Sequence, residues 1–189
     1  MGSSQVLFCH LTLRENRTHI LIFILFHRIL LSYPSKEDNE KILQNISRHL
    51  KPQGKAVISV MNYDCTAAIA KHKRTTPQIA EALRQLKPSN TMQSTGDIFD
   101  PDYFLLDSDT QIVYRKEQFL NLSEAALPFE TVVLDRRFRI SELISLCAKV
   151  GLTKTLTRPV QAGHWDRELN ATDKSAKELL FFGEKAPLP

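Results

Sequence analysis

The side chains best suited to chemistry fall in a few short stretches. Asn62-Tyr63-Asp64 places an amide, a phenol and a carboxylate directly after an apolar run. Asn62 and Tyr63 there could orient a substrate, or the three could cap the next element. Tyr114, Arg115 and Arg137 lie in a stretch that reads as an added group of β-strands. An arginine in it could clamp an acidic substrate with two parallel hydrogen bonds, or lie on a solvated strand face. His164-Trp165 follows Gly163. The indole could close over a pocket with the imidazole as a base, or the tryptophan could anchor a surface loop.

Other residues with suggestive spacing have plainer readings. Asp100-x-Asp102 and Asp107-x-Asp109 have metal-like spacing, but turn chemistry accounts for both, so no metal is expected. Cys9, Cys65 and Cys147 are far apart, odd in number and form no CxxC pair. This argues against a disulfide framework or zinc site and for a reducing cytoplasm. Cys147 sits on an apolar helix face and reads as core. The basic run Lys71-His72-Lys73-Arg74 lacks interleaved aromatics and reads as a solvated helix end.

Of the 189 residues, 42% are hydrophobic and 24% charged, enough apolar material for one globular core. The net charge of +4 is spread along the chain, so composition does not argue for a nucleic-acid partner. Leu21 to Phe26 is apolar, but His27-Arg28 interrupts the run well short of the roughly 20 residues that a membrane span requires. No small-residue cleavage site follows it. No membrane association is expected.

These residues must be positioned by a regular scaffold. Residues 1–18 form an irregular N-terminal segment, and 20–26 read as a strand buried on both faces. Ser35 is a good N-cap, with Glu37 and Asp38 in the first turn and Ile42, Leu43, Ile46 and Leu50 at helical spacing. Lys51-Pro52-Gln53-Gly54 stops that helix, and Ala56 to Met61 forms a second buried strand. Strand, helix and strand with short links make a right-handed βαβ unit. Helices are expected at 65–73 and 77–86. Residues 87–102 read as a loop, and 103–106 and 111–116 as a hairpin, with a further strand at 130–138. A helix capped by Ser141 and ended by Gly151 leads to a strand at 152–157. A last strand covers 178–182.

Three stretches resemble the class I S-adenosylmethionine-dependent methyltransferases. Glu37 to Gly54 is similar to a helix of that family ending in "LKPGG". Lys55 to Asn62 resembles the strand that follows it. Asp135-Arg136-Arg137-Phe138-Arg139-Ile140-Ser141-Glu142-Leu143 with Ala148-Lys149-Val150-Gly151-Leu152 resembles a late "R.Y...EL..LL..AGF" pattern. The resemblance covers residues 20–184 and implies an α/β fold. That fold is an incomplete Rossmann-like methyltransferase sheet, mostly parallel with an antiparallel last strand, plus a β-hairpin elaboration. Strands four to seven of the family would fall at 20–26, 55–61, 152–158 and 178–184. The methyltransferase-like domain would span 19–189, elaborated at about 87–139 with substrate-facing additions.

The resemblance implies S-adenosylmethionine as cofactor, which the family holds with a glycine-rich turn and an acidic residue on the ribose. The six glycines here are Gly2, Gly54, Gly96, Gly151, Gly163 and Gly183, and no two lie within five residues of each other. The nearest cofactor-side candidates are Leu31, Ser32 and Tyr33, after the 20–26 run. The start of the chain reads as a foreign or out-of-frame segment joined to a C-terminal half. The expected function is therefore a cytoplasmic methyltransferase for a small-molecule acceptor, impaired in this form. Asn62, Tyr63, Tyr114, Arg137, His164 and Trp165 are the acceptor-side candidates. The alternative is a non-catalytic methyltransferase-like module that binds a partner or forms a homodimer through an open sheet edge. A small basic RNA-binding protein draws least support.

Overall fold

In a computed structural model the chain is described over residues 33–90, 98–119 and 129–187. The 20–26 strand, Leu31 and Ser32 lie outside these residues. Helix α1 (Lys36–His49) starts at Ser35, whose Oγ accepts from the Asp38 amide at 3.2 Å. Its apolar stripe buries Leu43 and Ile46. The Lys185 ammonium donates to the carbonyls of Ser47 and Leu50, both at 2.8 Å, placing a cation at the helix C-terminus. The turn into β1 (Lys55–Met61) needs a left-handed residue, and Gln53 supplies it at φ 62°. The expected glycine, Gly54, instead occupies a cramped spot where an added Cβ would lie 2.8 Å from the Lys51 carbonyl.

Asn62 then caps α2 (Tyr63–Ile69). The helix expected to run on to residue 73 ends early, and His72–Arg74 form a short edge strand, β2. A 3₁₀ turn at Thr76–Gln78 opens α3 (Ile79–Gln85). The strands β3 (Leu105–Asp107), β4 (Ile112–Phe119) and β5 (Phe129–Arg136) follow. Helix α4 (Ile140–Lys149) is preceded by Arg139 as N-cap, with no side-chain cap bond, so Ser141 lies inside the helix and does not cap it. Gly151 at φ 79° ends it as expected. The strands β6 (Leu152–Val160) and β7 (Glu178–Lys185) complete the chain.

The strands form two sheets. In the three-stranded one, β7 lies between β1 and β6 and runs antiparallel to both, so β1 and β6 point the same way. Every pairing in this sheet is antiparallel, and a mostly parallel sheet is not what the described strands display. The reason is topological: inserting the last strand between two parallel ones reverses both contacts. One face packs on α1 and α4, burying Leu43, Ile46, Ala56, Ile58, Val60, Leu143, Cys147, Leu152, Leu179 and Phe181. Burial pushes the Cys147 thiol up to about 12. Strand β6 is an edge with a bulge between Lys154 and Leu156, and it contains Pro159, whose carbonyl accepts from the Leu169 amide at 2.9 Å.

The second sheet has the order β2-β3-β4-β5, with β2 parallel to β3 and the other neighbours antiparallel. Phe104, Leu106 and Val113 pack toward α2, and Leu105 and Tyr114 toward α3. Backbone hydrogen bonds link the two sheets at Phe138. Phe138 donates its amide to the Met61 carbonyl and accepts from the Tyr63 amide, both at 2.9 Å. The chain leaving β5 is thereby fixed against the carboxyl end of β1.

Candidate functional site

In open α/β sheets ligands sit beyond the carboxyl ends of the strands. Here β1 and β6 share that end, and Met61 and Val160 both pair with Glu178. The 161–177 connection folds across it. Trp165 sits on this connection, half-buried, and its Nε1 donates to Glu178 Oε2 at 3.0 Å. Arg158 holds the Trp165 carbonyl from below. His164 is on the exposed tip of a tight turn, where Gly163 takes φ 77° and the His164 amide donates to the Gln161 carbonyl at 2.9 Å.

Asn62 is fully buried beneath the same connection. Its Nδ2 donates to the carbonyls of Ala171 and Ala176, both at 2.7 Å, and its Oδ1 accepts from the Asp64 amide at 3.0 Å. The amide thus caps α2 and ties the 171–176 segment to the end of β1, spending its hydrogen-bonding capacity on the backbone. Tyr63 is also buried, with the Arg139 guanidinium 4.3 Å over its ring.

Arg137 follows β5 into this region and is 1% exposed. It is not on a solvated strand face. Its Nη1 points at the Met61 sulfur, its Nη2 lies 3.9 Å from Asp135, and its guanidinium sits 4.7 Å over Phe99. Its Nε has no acceptor among the described residues. Burial, only partly offset by Asp135, lowers its pKa to about 10. Arg115 is buried beside it and donates to Glu117 Oε1 at 2.5 Å and to Asp135 Oδ2 at 2.8 Å. Ser89 completes the group with a 3.1 Å bond to Glu117.

The expected site residues are therefore divided. Asn62, Tyr63, Arg137 and Trp165 gather around the carboxyl end of β1. Tyr114 faces the other way, toward α3, where burial and then the charge of Asp107 raise its phenol pKa. Tyr33 is at the start of α1, with its carbonyl accepting from Asn39 at 2.7 Å. Glu117, Asp135, Phe99 and Glu178 were not singled out from the sequence. Arg115 and Glu117 are in phase with Val113 along β4, but the opposite phase of Ile112, Tyr114 and Lys116 is equally mixed. Alternation therefore cannot tell which face is inward.

The described residues do not by themselves fit an adenosyl cofactor. The left-handed glycines, Gly151 and Gly163, serve a helix end and a tight turn, not a strand-to-helix loop that could wrap a ligand. The amide nearest the strand end, Asn62, is already committed. Among these residues no three His, Cys, Asp or Glu side chains converge as metal ligands. Asp107 and Asp100 instead accept amides of their own turns, from Asp109 at 2.9 Å and from Asp102 at 3.0 Å. No helix among them is long and apolar enough to cross a membrane.

The sequence matches no protein-family model and no curated protein. Solved structures do match in shape. The CcbJ methyltransferase from Streptomyces caelestis superimposes with a TM-score of 0.50 at 13% identity, over 83% of this chain. The fold is class I methyltransferase-like. Another methyltransferase-like match is an S-adenosylmethionine-dependent methyltransferase from Clostridium acetobutylicum, at a TM-score of 0.49, 13% identity and 93% of this chain. The fold assignment rests on the first. The chain spans 57% of the Streptomyces protein and 61% of the Clostridium one. In this chain the sheet of β1, β7 and β6 is linked to the four-stranded sheet where Phe138 pairs beyond the carboxyl end of β1.

Proposed function

We propose that this chain is the acceptor side of an S-adenosylmethionine-dependent methyltransferase for a small molecule, and that alone it holds the cofactor weakly. One observation carries the reading. A methyltransferase-like wing, with β7 reversed between β1 and β6, has a second sheet fastened to the carboxyl end of β1 through Phe138. Methyl transfer is an in-line displacement in which positioning supplies most of the rate, so a rigid wall at that strand end is what an acceptor needs. Trp165 and the buried Arg137 supply a flat ring and a cation there. The widely spaced glycines support weak cofactor binding.

Titration calorimetry of the full chain with S-adenosylmethionine and S-adenosylhomocysteine tests the cofactor part. The expected result is a Kd weaker than about 1 mM, corresponding to roughly 4 kcal/mol of binding. Micromolar binding would overturn it. Formation of S-adenosylhomocysteine against a panel of small amines, phenols and carboxylic acids tests the acceptor part at millimolar cofactor. A second reading, a non-catalytic module that pairs with another copy, has one point in its favour. Lys55 to Val60 has no strand partner on the side away from β7 among the described residues. Silent calorimetry with a concentration-dependent dimer in sedimentation would favour that reading.

A further inference from the structure

We propose that the cleft between β2 and α3 binds a small organic anion: an apolar or aromatic body carrying one phosphate or carboxylate. The cleft has a volume of about 420 Å³, within the range of roughly 300–1,000 Å³ typical of small-ligand sites. Its floor is apolar, made of Ala82 on α3, Leu86 at its end and Leu105 on β3, the two leucines being buried. Its rim is cationic. His72 and Arg74 are two apart on β2 and so share a face; across on β3 the register partner of His72 is Leu105 and that of Arg74 is the buried Asp107, whose oxygens are taken by the Thr76 hydroxyl and the amides of its own turn. Lys87 closes the rim from beyond α3.

The charges at this rim do not cancel. The lining carboxylate is Asp102, and it is claimed by Lys71, whose Nζ lies 2.6 Å away. The bond to Lys71 is the main cause holding the Asp102 carboxyl below its usual range, helped by the nearby charges of His72 and Lys87. Arg74 spends Nη1 on the Lys73 carbonyl at 2.7 Å, and no ion pair with a carboxylate engages it or Lys87 among the described residues. An apolar floor under uncancelled cations favours a ligand with a greasy body and an anionic head over either a bare anion or a neutral ring. Face and position separate this cleft from the proposed acceptor wall. It opens on the α3 side of the second sheet, whereas Arg115, Asp135 and Arg137 lie on the α2 side. The inference therefore stands or falls independently of the methyltransferase reading.

The test uses the full chain and four probes: 1-naphthyl phosphate, 1-naphthoate, neutral 1-naphthol and inorganic phosphate, followed by amide chemical shifts. Saturable shifts of residues 72–74, 82–87 and 105 are expected with at least one of the two naphthyl anions, and which one binds identifies the head group. Arg74→Gln and Lys87→Gln are exposed substitutions. Each should weaken binding about two- to fivefold, as expected for loss of one solvent-exposed ion pair. Their melting curves should match the parent, showing that the fold is intact. Lys154→Gln on β6 serves as the remote control and should change nothing. Absence of saturable shifts overturns the proposal, as does unchanged affinity in both variants. Equal binding of 1-naphthol overturns the role of the cations, and equal binding of inorganic phosphate overturns the role of the floor.

Discussion

Asp135 stands between two buried arginines, its Oδ2 lying 2.8 Å from Arg115 Nη2 and 3.9 Å from Arg137 Nη2. Together with Glu117 it balances both cations inside the protein. Such a set contributes little net stability against an apolar replacement, but removing one member strands a charge. Asp135→Asn keeps the shape and deletes the charge. It is expected to cost about 3–5 kcal/mol in urea unfolding. Glu130→Gln removes the exposed partner of Lys116 and should cost under about 1 kcal/mol. A loss below about 1 kcal/mol for Asp135→Asn would show that the arginines are not held as described.

Asn62 is the knot between the end of β1 and the 171–176 segment. Asn62→Ala leaves the Ala171 and Ala176 carbonyls without their donor and α2 without its cap. The expected destabilisation is about 2–4 kcal/mol, from the lost bonds and the cap. Hydrogen exchange should speed up in residues 171–177 more than in α1. Uniform acceleration across the chain would contradict a local knot.

Tyr114 offers a pH readout. Its raised phenol pKa keeps it neutral in the folded chain above the pH at which an unfolded tyrosine, with a pKa of about 10, loses its proton. The unfolded state then binds fewer protons than the folded one, so this contribution to stability is intact below about pH 10 and is lost as pH climbs through the folded value. Ultraviolet titration should show a phenolate forming at a pH above about 10, and Tyr114→Phe should remove that late component. If the late component survives in Tyr114→Phe, another tyrosine is responsible.

Gln53 holds a left-handed conformation at φ 62° in the turn between α1 and β1. A side chain there carries strain that glycine avoids, offset in part by the greater entropy glycine gives the unfolded chain. Gln53→Gly should raise stability by about 0.3–1 kcal/mol in thermal melts. The amide of this residue donates to the Lys185 carbonyl at 3.0 Å, which the substitution preserves. A drop in melting temperature would mean that the Gln53 side chain has a role no contact reveals.

How much of this could be read in advance depended on whether the cause was local. Ser35 and the stripe Leu43, Ile46 and Leu50 fix α1 by capping and period, and both survive in the structure. Ala56 to Met61 and Gly151 were likewise legible, because an apolar run and a left-handed glycine act on their immediate neighbours. The end of α2 was not, because β2 forms only through pairing with β3, about 30 residues later, which overrides the local preference of Lys71 to Arg74. The antiparallel character of every pairing around β7 is a property of strand order, which neighbouring residues do not encode. For the site, the sequence singled out Asn62 and Arg137 but not their partners. Ala171, Ala176 and Asp135 reach them only through the closing of the chain, and that closure decides which of their donors remain for a ligand.

The irregularities of β6 make the sheet one-directional. A strand arriving at that margin finds no amide hydrogen on Pro159, a carbonyl already taken by Leu169, and a ladder thrown out of phase past Lys154. Among the described residues, any lengthening of the sheet is therefore steered to the opposite margin, where β1 carries neither a proline nor a bulge.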